Sequence, residues 1–205
     1  MIEDFDHWRE RYDTLTFAQQ QEYHNQLEEW YPEQAHFNFE AAKYAINTTG
    51  SFVILEAGAW KGDLCKRIMD ERFYEYPEHH TLWYAIELCP NAIEKRVTKE
   101  IQYLYIDRFD WWNQHGHILA FDLFIATHFI EHLSDEHLTE LLNWLYYVSM
   151  PAIYFESPIS EHGQEWDGYE GTHKLTFGWQ KVRELLANYD CEDINDTCKL
   201  FTLRE

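Results

Sequence analysis

Three residues near the middle of the chain, His128, Glu131 and His132, have the types and the spacing for proton or metal chemistry. At i, i+3 and i+4 they share one face of a turn or helix. Two imidazoles and a carboxylate suit zinc, manganese or iron better than magnesium. A divalent metal there would acidify a bound hydroxyl and orient it. His173, within Thr172-His173-Lys174, is a fourth candidate ligand, and His162 a weaker one. Without a metal, His128 is a candidate general base, because an ordinary imidazole titrates near neutral pH. A second constellation is Glu56-Ala57-Gly58-Ala59-Trp60-Lys61-Gly62. Its glycines let backbone approach a ligand with no Cβ in the way. The spacing fails the G-x-G-x-x-G that seats a pyrophosphate. A third is Glu87, which closes an apolar run and offers two acceptor oxygens to the hydroxyls of a ribose.

These residues fall at the ends of elements that the sequence marks out. The run from Val53 breaks on Gly58 and resumes with helical spacing at Lys66-Arg67-Ile68-Met69. That pattern predicts a buried parallel strand, a tight turn and a helix over about 61–72. Further strands are expected at Leu82–Glu87, Ile101–Ile106, Phe121–Thr127 and Ala152–Glu156. Pro90 opens one intervening helix and Ser134 caps another, whose stripe is Leu138, Leu141, Leu142 and Leu145. A loop of about 15 residues follows Ser157-Pro158, a length usual for a functional lid. A helix over Phe177–Tyr189 then leads to two closing strands, Cys191–Asp196 and Lys199–Arg204, paired antiparallel through Asn195-Asp196-Thr197. Residues 1–50 read as helical, with Phe17–Trp30 and Phe37–Ile46 separated by Pro32. The division expected is an N-terminal helical cap over 1–50 and an α/β unit over 51–205, packed as one body.

The motifs carry a resemblance. Glu56, Gly58 and Gly62 resemble motif I, acidic-x-Gly-x-Gly-x-Gly, of the class I S-adenosylmethionine (SAM)-dependent methyltransferases, with Trp60 at the middle glycine. The segment FDLFIATHFIEHLSDEHLTELLNWL resembles motif IV of that family with its Glu-His-Leu ending. The resemblance implies a Rossmann-like class I methyltransferase fold: a seven-stranded, mostly parallel sheet with an antiparallel C-terminal hairpin and helices on both faces. It implies SAM as cofactor and methyl transfer to an O or N of a small-molecule acceptor. By position it assigns Glu56, Gly58, Ala59, Trp60 and Gly62 to the cofactor loop and Glu87 with Leu88 to the ribose. It assigns Asp107 and Arg108 to the adenine, where Trp111 and Trp112 add aromatic cover, and Thr127 to the end of the fourth strand. His128 would meet the substrate as catalytic residue. The spacing of His128, Glu131 and His132, with His173 later, is also similar to the metal-dependent small-RNA 2′-O-methyltransferases; His128 stands where those have an acidic ligand. Glu-His-Leu is equally common in members that bind no metal, where it positions the strand-to-helix turn. Trp60 in the loop admits a third reading, a SAM-fold protein that has lost catalysis and serves as a binding partner.

Bulk properties narrow the partners. The 205 residues carry a formal net charge of -21, which repels a phosphate backbone and argues against nucleic acid. Among the four cysteines, Cys65, Cys89, Cys191 and Cys198, none forms a C-x-x-C pair. The start, Met1-Ile2-Glu3-Asp4, lacks the features of a signal peptide. No run reaches the roughly 18 apolar residues of a membrane span. A reducing, cytoplasmic setting and a small-molecule substrate are therefore expected; oligomeric state leaves no mark on the sequence.

Overall fold

The computed structural model describes residues 15–30, 37–75, 81–104, 120–163 and 175–204. The described elements run α1 (Phe17–Trp30), α2 (Phe39–Thr49), β1 (Val53–Ala57), α3 (Asp63–Glu75), β2 (Leu82–Ile86), α4 (Pro90–Glu94) and β3 (Ile101–Tyr103). They continue with β4 (Leu123–Thr127), a 3-10 turn at Ile130–His132, α5 (Asp135–Tyr147), β5 (Ala152–Glu156), α6 (Trp179–Leu185), β6 (Tyr189–Asp193) and β7 (Cys198–Leu203).

The strands form one seven-stranded sheet in the order β3-β2-β1-β4-β5-β7-β6. The pairs β3–β2, β2–β1, β1–β4 and β4–β5 are parallel. β7 runs antiparallel to both β5 and β6. Both faces are covered, which is why β4 and β5 are buried at every position and read as unbroken apolar runs. Alternate residues serve opposite cores: Phe124, Ala126, Ile153 and Phe155 pack with the α5 stripe Leu138, Leu141 and Leu145 and with Trp179 and Val182 of α6. Leu123, Ile125, Ala152 and Tyr154 pack with Ala42 and Ile46 of α2 and with Leu64 and Ile68 of α3. α2 is thus part of the sheet's own core, so packing continues across the boundary at residue 50.

Local signals set the helix starts. Ser134 Oγ accepts from the His137 amide at 3.1 Å, and Pro90 opens α4 behind Cys89. α1 lies across that opening: Asn25 Oδ1 accepts from the Asn91 amide at 3.0 Å. The C-terminal hairpin turns through an Asx turn, with Asn195 Oδ1 accepting from the amides of Thr197 and Cys198, both at 2.9 Å. Lys199, buried in β7, closes the same turn from its Nζ to Asn195 O at 2.7 Å and pairs with Asp193 at 3.2 Å. Three expectations shift. β3 ends at Tyr103 rather than Ile106, and α6 covers only Trp179–Leu185 because Gly178 caps it and a turn at 186–188 feeds β6. β6 consequently starts two residues early, at Tyr189. No helix among the described residues is long and apolar enough to cross a membrane.

Candidate functional site

The carboxyl ends of β1, β2, β4 and β5 lie side by side, and the expected site residues that the structure describes gather there. The strand-to-helix turn after β1 keeps three left-handed residues, Gly58 (φ 73°), Trp60 (φ 50°) and Gly62 (φ 84°). Gly58 also accommodates a close approach: a Cβ there would lie 3.1 Å from the Phe129 ring. Its amide donates to Ile86 O at 2.9 Å, tying the turn to β2. Ala59, 5% exposed, follows the same line. Gly62 leads into α3, with its carbonyl accepting from Lys66 N at 2.9 Å.

Glu87 sits one residue past β2 and is buried beside Leu88. Its Oε2 accepts from the Trp60 amide at 2.7 Å and its Oε1 from the Cys89 amide at 2.8 Å. Two fixed N–H donors hold the carboxylate in one orientation, and each oxygen keeps a further lone pair for a ligand. Burial pushes the Glu87 carboxyl up from its ordinary value, while the backbone N–H bonds oppose that. Glu56 behaves differently. It lies within β1, accepts from Trp83 Nε1 at 2.8 Å, and is pushed up by burial to about 8. It ties β1 to β2 from inside the sheet and presents no open face.

At the ends of β4 and β5 a second arrangement appears. Thr127 pairs in register with Glu156, and His128 follows with φ 48° and its amide bonded to Glu156 O at 2.8 Å. The imidazole lies between two carboxylates: Nδ1 is 3.1 Å from Glu131 Oε1 and Nε2 is 3.6 Å from Glu156 Oε1. Glu131 is fully buried and accepts from Ser157 Oγ at 2.8 Å. Glu156 is held from α2, whose Asn38 amide reaches both of its oxygens at 2.8 Å. The bonds to Glu131 and Glu156 outweigh burial and raise the His128 imidazole to about 10. For Glu131, burial acts upward, but the His128 bond and the charge of His132 prevail and hold the carboxyl below its usual range. His24 of α1 is held down to about 3 by desolvation and by His132, which puts α1 against the same turn.

His128 is therefore an imidazolium at neutral pH, a donor already engaged at both nitrogens, and the general-base role expected of it loses its physical basis. The metal expectation meets a similar obstacle. The ring nitrogens point to opposite carboxylates, so one ion cannot be reached by His128 and both of them, and Glu131 spends its other oxygen on Ser157. Among the described residues no three His, Cys, Asp or Glu are arranged to hold a metal, and no step is routed through one. His162 instead pairs with Gln180 at 3.2 Å. Asp107, Arg108, Trp111, Trp112 and His173 lie outside the described residues. Sequence reasoning missed Glu156 and Asn38; the only signal was a carboxylate closing a strand, the same signal that marked Glu87.

The clamp has a pH signature. Because the folded state raises the His128 pKa, its contribution is full below the unfolded value of about 6.5 and is lost as pH rises towards 10. The ring is partly exposed, so the effect is screened and is expected to be ~1 kcal/mol or less. The melting temperature of wild type minus that of His128→Ala should be largest near pH 6 and shrink steadily to pH 10. A difference that does not change with pH would remove the charged clamp.

No family model and no curated protein sequence matches this chain. Solved structures do. Human N-acetylserotonin methyltransferase in complex with SAM aligns at a TM-score of 0.56 and 14% identity, over 92% of this chain and 56% of that one. The small RNA methyltransferase HEN1 aligns at 0.58 and 14%, over 84% of this chain and 26% of that one. The 1,6-didemethyltoxoflavin-N1-methyltransferase of Burkholderia thailandensis, with bound 1,6-didemethyltoxoflavin and S-adenosylhomocysteine, aligns at 0.55 and 17%, over 89% and 83%. The chain thus spans only about half of the first and a quarter of the second.

Proposed function

We propose that this chain, which shares its fold with the class I SAM-dependent methyltransferases, is such an enzyme and methylates a nucleophilic atom of a small-molecule acceptor. The observation that carries the proposal is the paired strand ends: the left-handed turn at Gly58, Trp60 and Gly62 lies against Glu87, whose carboxylate is held by the Trp60 and Cys89 amides. Ligands of open α/β sheets sit in this crevice. SAM bound there would supply an electrophilic methyl group on a sulfonium.

The residues of the chain fit that group. Glu87 retains acceptor capacity for two ribose hydroxyls. The turn brings backbone close to the ligand. Leu88 and Ala59 are apolar neighbours of the same cleft, and Thr127 closes β4 beside it. Glu56 supports the turn from inside the sheet. The acceptor side is bounded by His128, Glu131 and Glu156. Since His128 keeps its proton at neutral pH, it does not strip a hydroxyl in the transfer step. An amine or ring nitrogen attacks through its own lone pair and needs no base at that moment, which favours N over O as acceptor atom. The net charge of -21 favours a small molecule over RNA. The four free cysteines suit a reducing, cytoplasmic setting. Residues 1–50 contribute through α1, which we place over the cleft as a cap.

Calorimetric titration with S-adenosylhomocysteine tests the cofactor reading. Micromolar affinity is expected, with about 2.7 kcal/mol of added stability at a hundred times the dissociation constant. Absence of binding overturns it. Binding without transfer of labelled methyl to a panel of amines and phenols would instead identify a binding protein that keeps the fold.

A further inference from the structure

Trp60 stands where the glycine turn has least need of a side chain, and it carries three features that the ligand-free chain does not use. Its backbone is left-handed at φ 50°, a conformation uncommon for a bulky residue and kept only where the surroundings dictate it. Its backbone is pinned on both sides: the amide donates to Glu87 Oε2 at 2.7 Å, and the carbonyl accepts from Tyr103 Oη at 2.8 Å. With the backbone so fixed, the direction in which the indole leaves the turn is fixed too. Its Nε1 is buried and has no hydrogen-bond partner. A buried indole N–H normally finds an acceptor, and one that does not calls for an explanation. Trp179 shares an orphaned Nε1 but lies 1% exposed in the core beneath α6, away from the strand-end turn.

We infer that the indole N–H of Trp60 donates to an acceptor atom of the bound cofactor, forming with the Glu87 carboxylate a donor–acceptor pair on one turn. The inference rests on SAM being that cofactor. The chemistry required is an acceptor that carries no hydrogen. S-adenosylhomocysteine offers two kinds, the oxygens of its carboxylate and the ring nitrogens of its adenine. 5′-Methylthioadenosine offers only the ring nitrogens. Trp60 is then no obstruction in the loop but a contact that a glycine at that position lacks.

The test uses the whole chain labelled with 15N, whose nine tryptophans give indole signals. On titration with S-adenosylhomocysteine, the Trp60 indole proton should move downfield and exchange more slowly with solvent. Trp60→Phe keeps the ring and loses the donor. It should bind S-adenosylhomocysteine about tenfold more weakly, the loss of one hydrogen bond, with its melting temperature little changed. If methylthioadenosine binding weakens equally, the acceptor is on the adenine; if it does not, the acceptor is the carboxylate. Either outcome supports the inference. Unchanged affinity in folded Trp60→Phe, or an unmoved indole signal at saturation, overturns it. Assigning the indole through Trp60's own backbone amide keeps the shift decisive should the variant fail to fold. A wild type that binds no S-adenosylhomocysteine overturns the cofactor reading and this inference with it, which separates that failure from a failure of Trp60 alone.

Discussion

Glu87→Ala is expected to lower the affinity for S-adenosylhomocysteine by at least about tenfold, and by more if both ribose hydroxyls lose a charged acceptor. A hydrogen bond to a charged group contributes about 1.5–3 kcal/mol, and each 1.4 kcal/mol is about tenfold in affinity. The carboxylate suits the role because it is oriented before any ligand arrives, by the amides of Trp60 and Cys89 at 2.7 and 2.8 Å. The same bonds mean that the substitution leaves two buried N–H groups without an acceptor, at a stability cost of roughly 1–3 kcal/mol. Titration must therefore be paired with a melt, so that lost affinity is read on folded protein. Glu87→Gln sharpens the result, since it keeps one acceptor oxygen and nearly the same volume but loses the charge. The pH dependence has a definite sign. Burial raises the Glu87 carboxyl, so ligand affinity should weaken as pH falls through its titration. Wild-type affinity in folded Glu87→Ala would move the ribose away from the end of β2 and dismantle the assigned pocket.

How much of this was legible in the sequence differs between the frame and the chemistry. β1, β2, β4 and β5 stood out because a parallel strand covered on both faces has no polar alternation to dilute its signal. Ser134 and Pro90 marked helix starts because capping is local chemistry, read within three or four residues. The edges were less legible. β6 begins at Tyr189 because the turn after α6 is tight, and that depends on where Gly178 places the helix. Glu87 was found because a carboxylate at a strand end is a local feature in a place the topology makes special. The clamp on His128 was not found, because it depends on the register of β4 with β5, Thr127 opposite Glu156, and on an amide from α2, 118 residues away from Glu156. The imidazole was read at its ordinary titration near neutral pH, whereas two carboxylates raise it to about 10. Trp60 was read as an interruption of the glycine pattern; its φ of 50° lets it hold the backbone shape that a glycine would.

Gly178→Ala is expected to have the largest effect on stability, at least ~3 kcal/mol, beyond the usual cost of an added methylene in a packed site. A Cβ at Gly178 would fall 2.0 Å from the Gly163 amide nitrogen, 2.5 Å from Glu161 O and 2.6 Å from the His162 carbonyl carbon. All three are backbone atoms, so no side chain can swing aside. The stretch they belong to is itself held: Ser160 Oγ donates to Gly163 O at 2.8 Å, and Ser160 O and Glu161 O accept from the Trp179 and Gln180 amides at 3.0 and 2.9 Å. Those two carbonyls therefore take the first donors of α6, whose Gly178 cap offers no side chain. Pushing the stretch away would strip these bonds and loosen Trp179, a buried anchor of the core. The consequence reaches the site. Residues 163 and 175 bracket the segment 164–174, and on the far side the Leu175 amide donates to Glu131 O at 3.3 Å while the Thr176 amide donates to Asp135 Oδ1 at 2.8 Å. Glu131 is also the partner of His128, so a loosened crossing is transmitted to the clamp. Urea unfolding of Gly178→Ala should show a much reduced midpoint at an unchanged slope. Methyl transfer, where measured, should fall further than S-adenosylhomocysteine binding, because Glu87 and the β1 turn are remote from the crossing. A loss below ~1 kcal/mol would mean that the two stretches do not cross at Gly163 and Gly178 in solution, and that the acceptor side of the cleft is held by the His128 clamp alone.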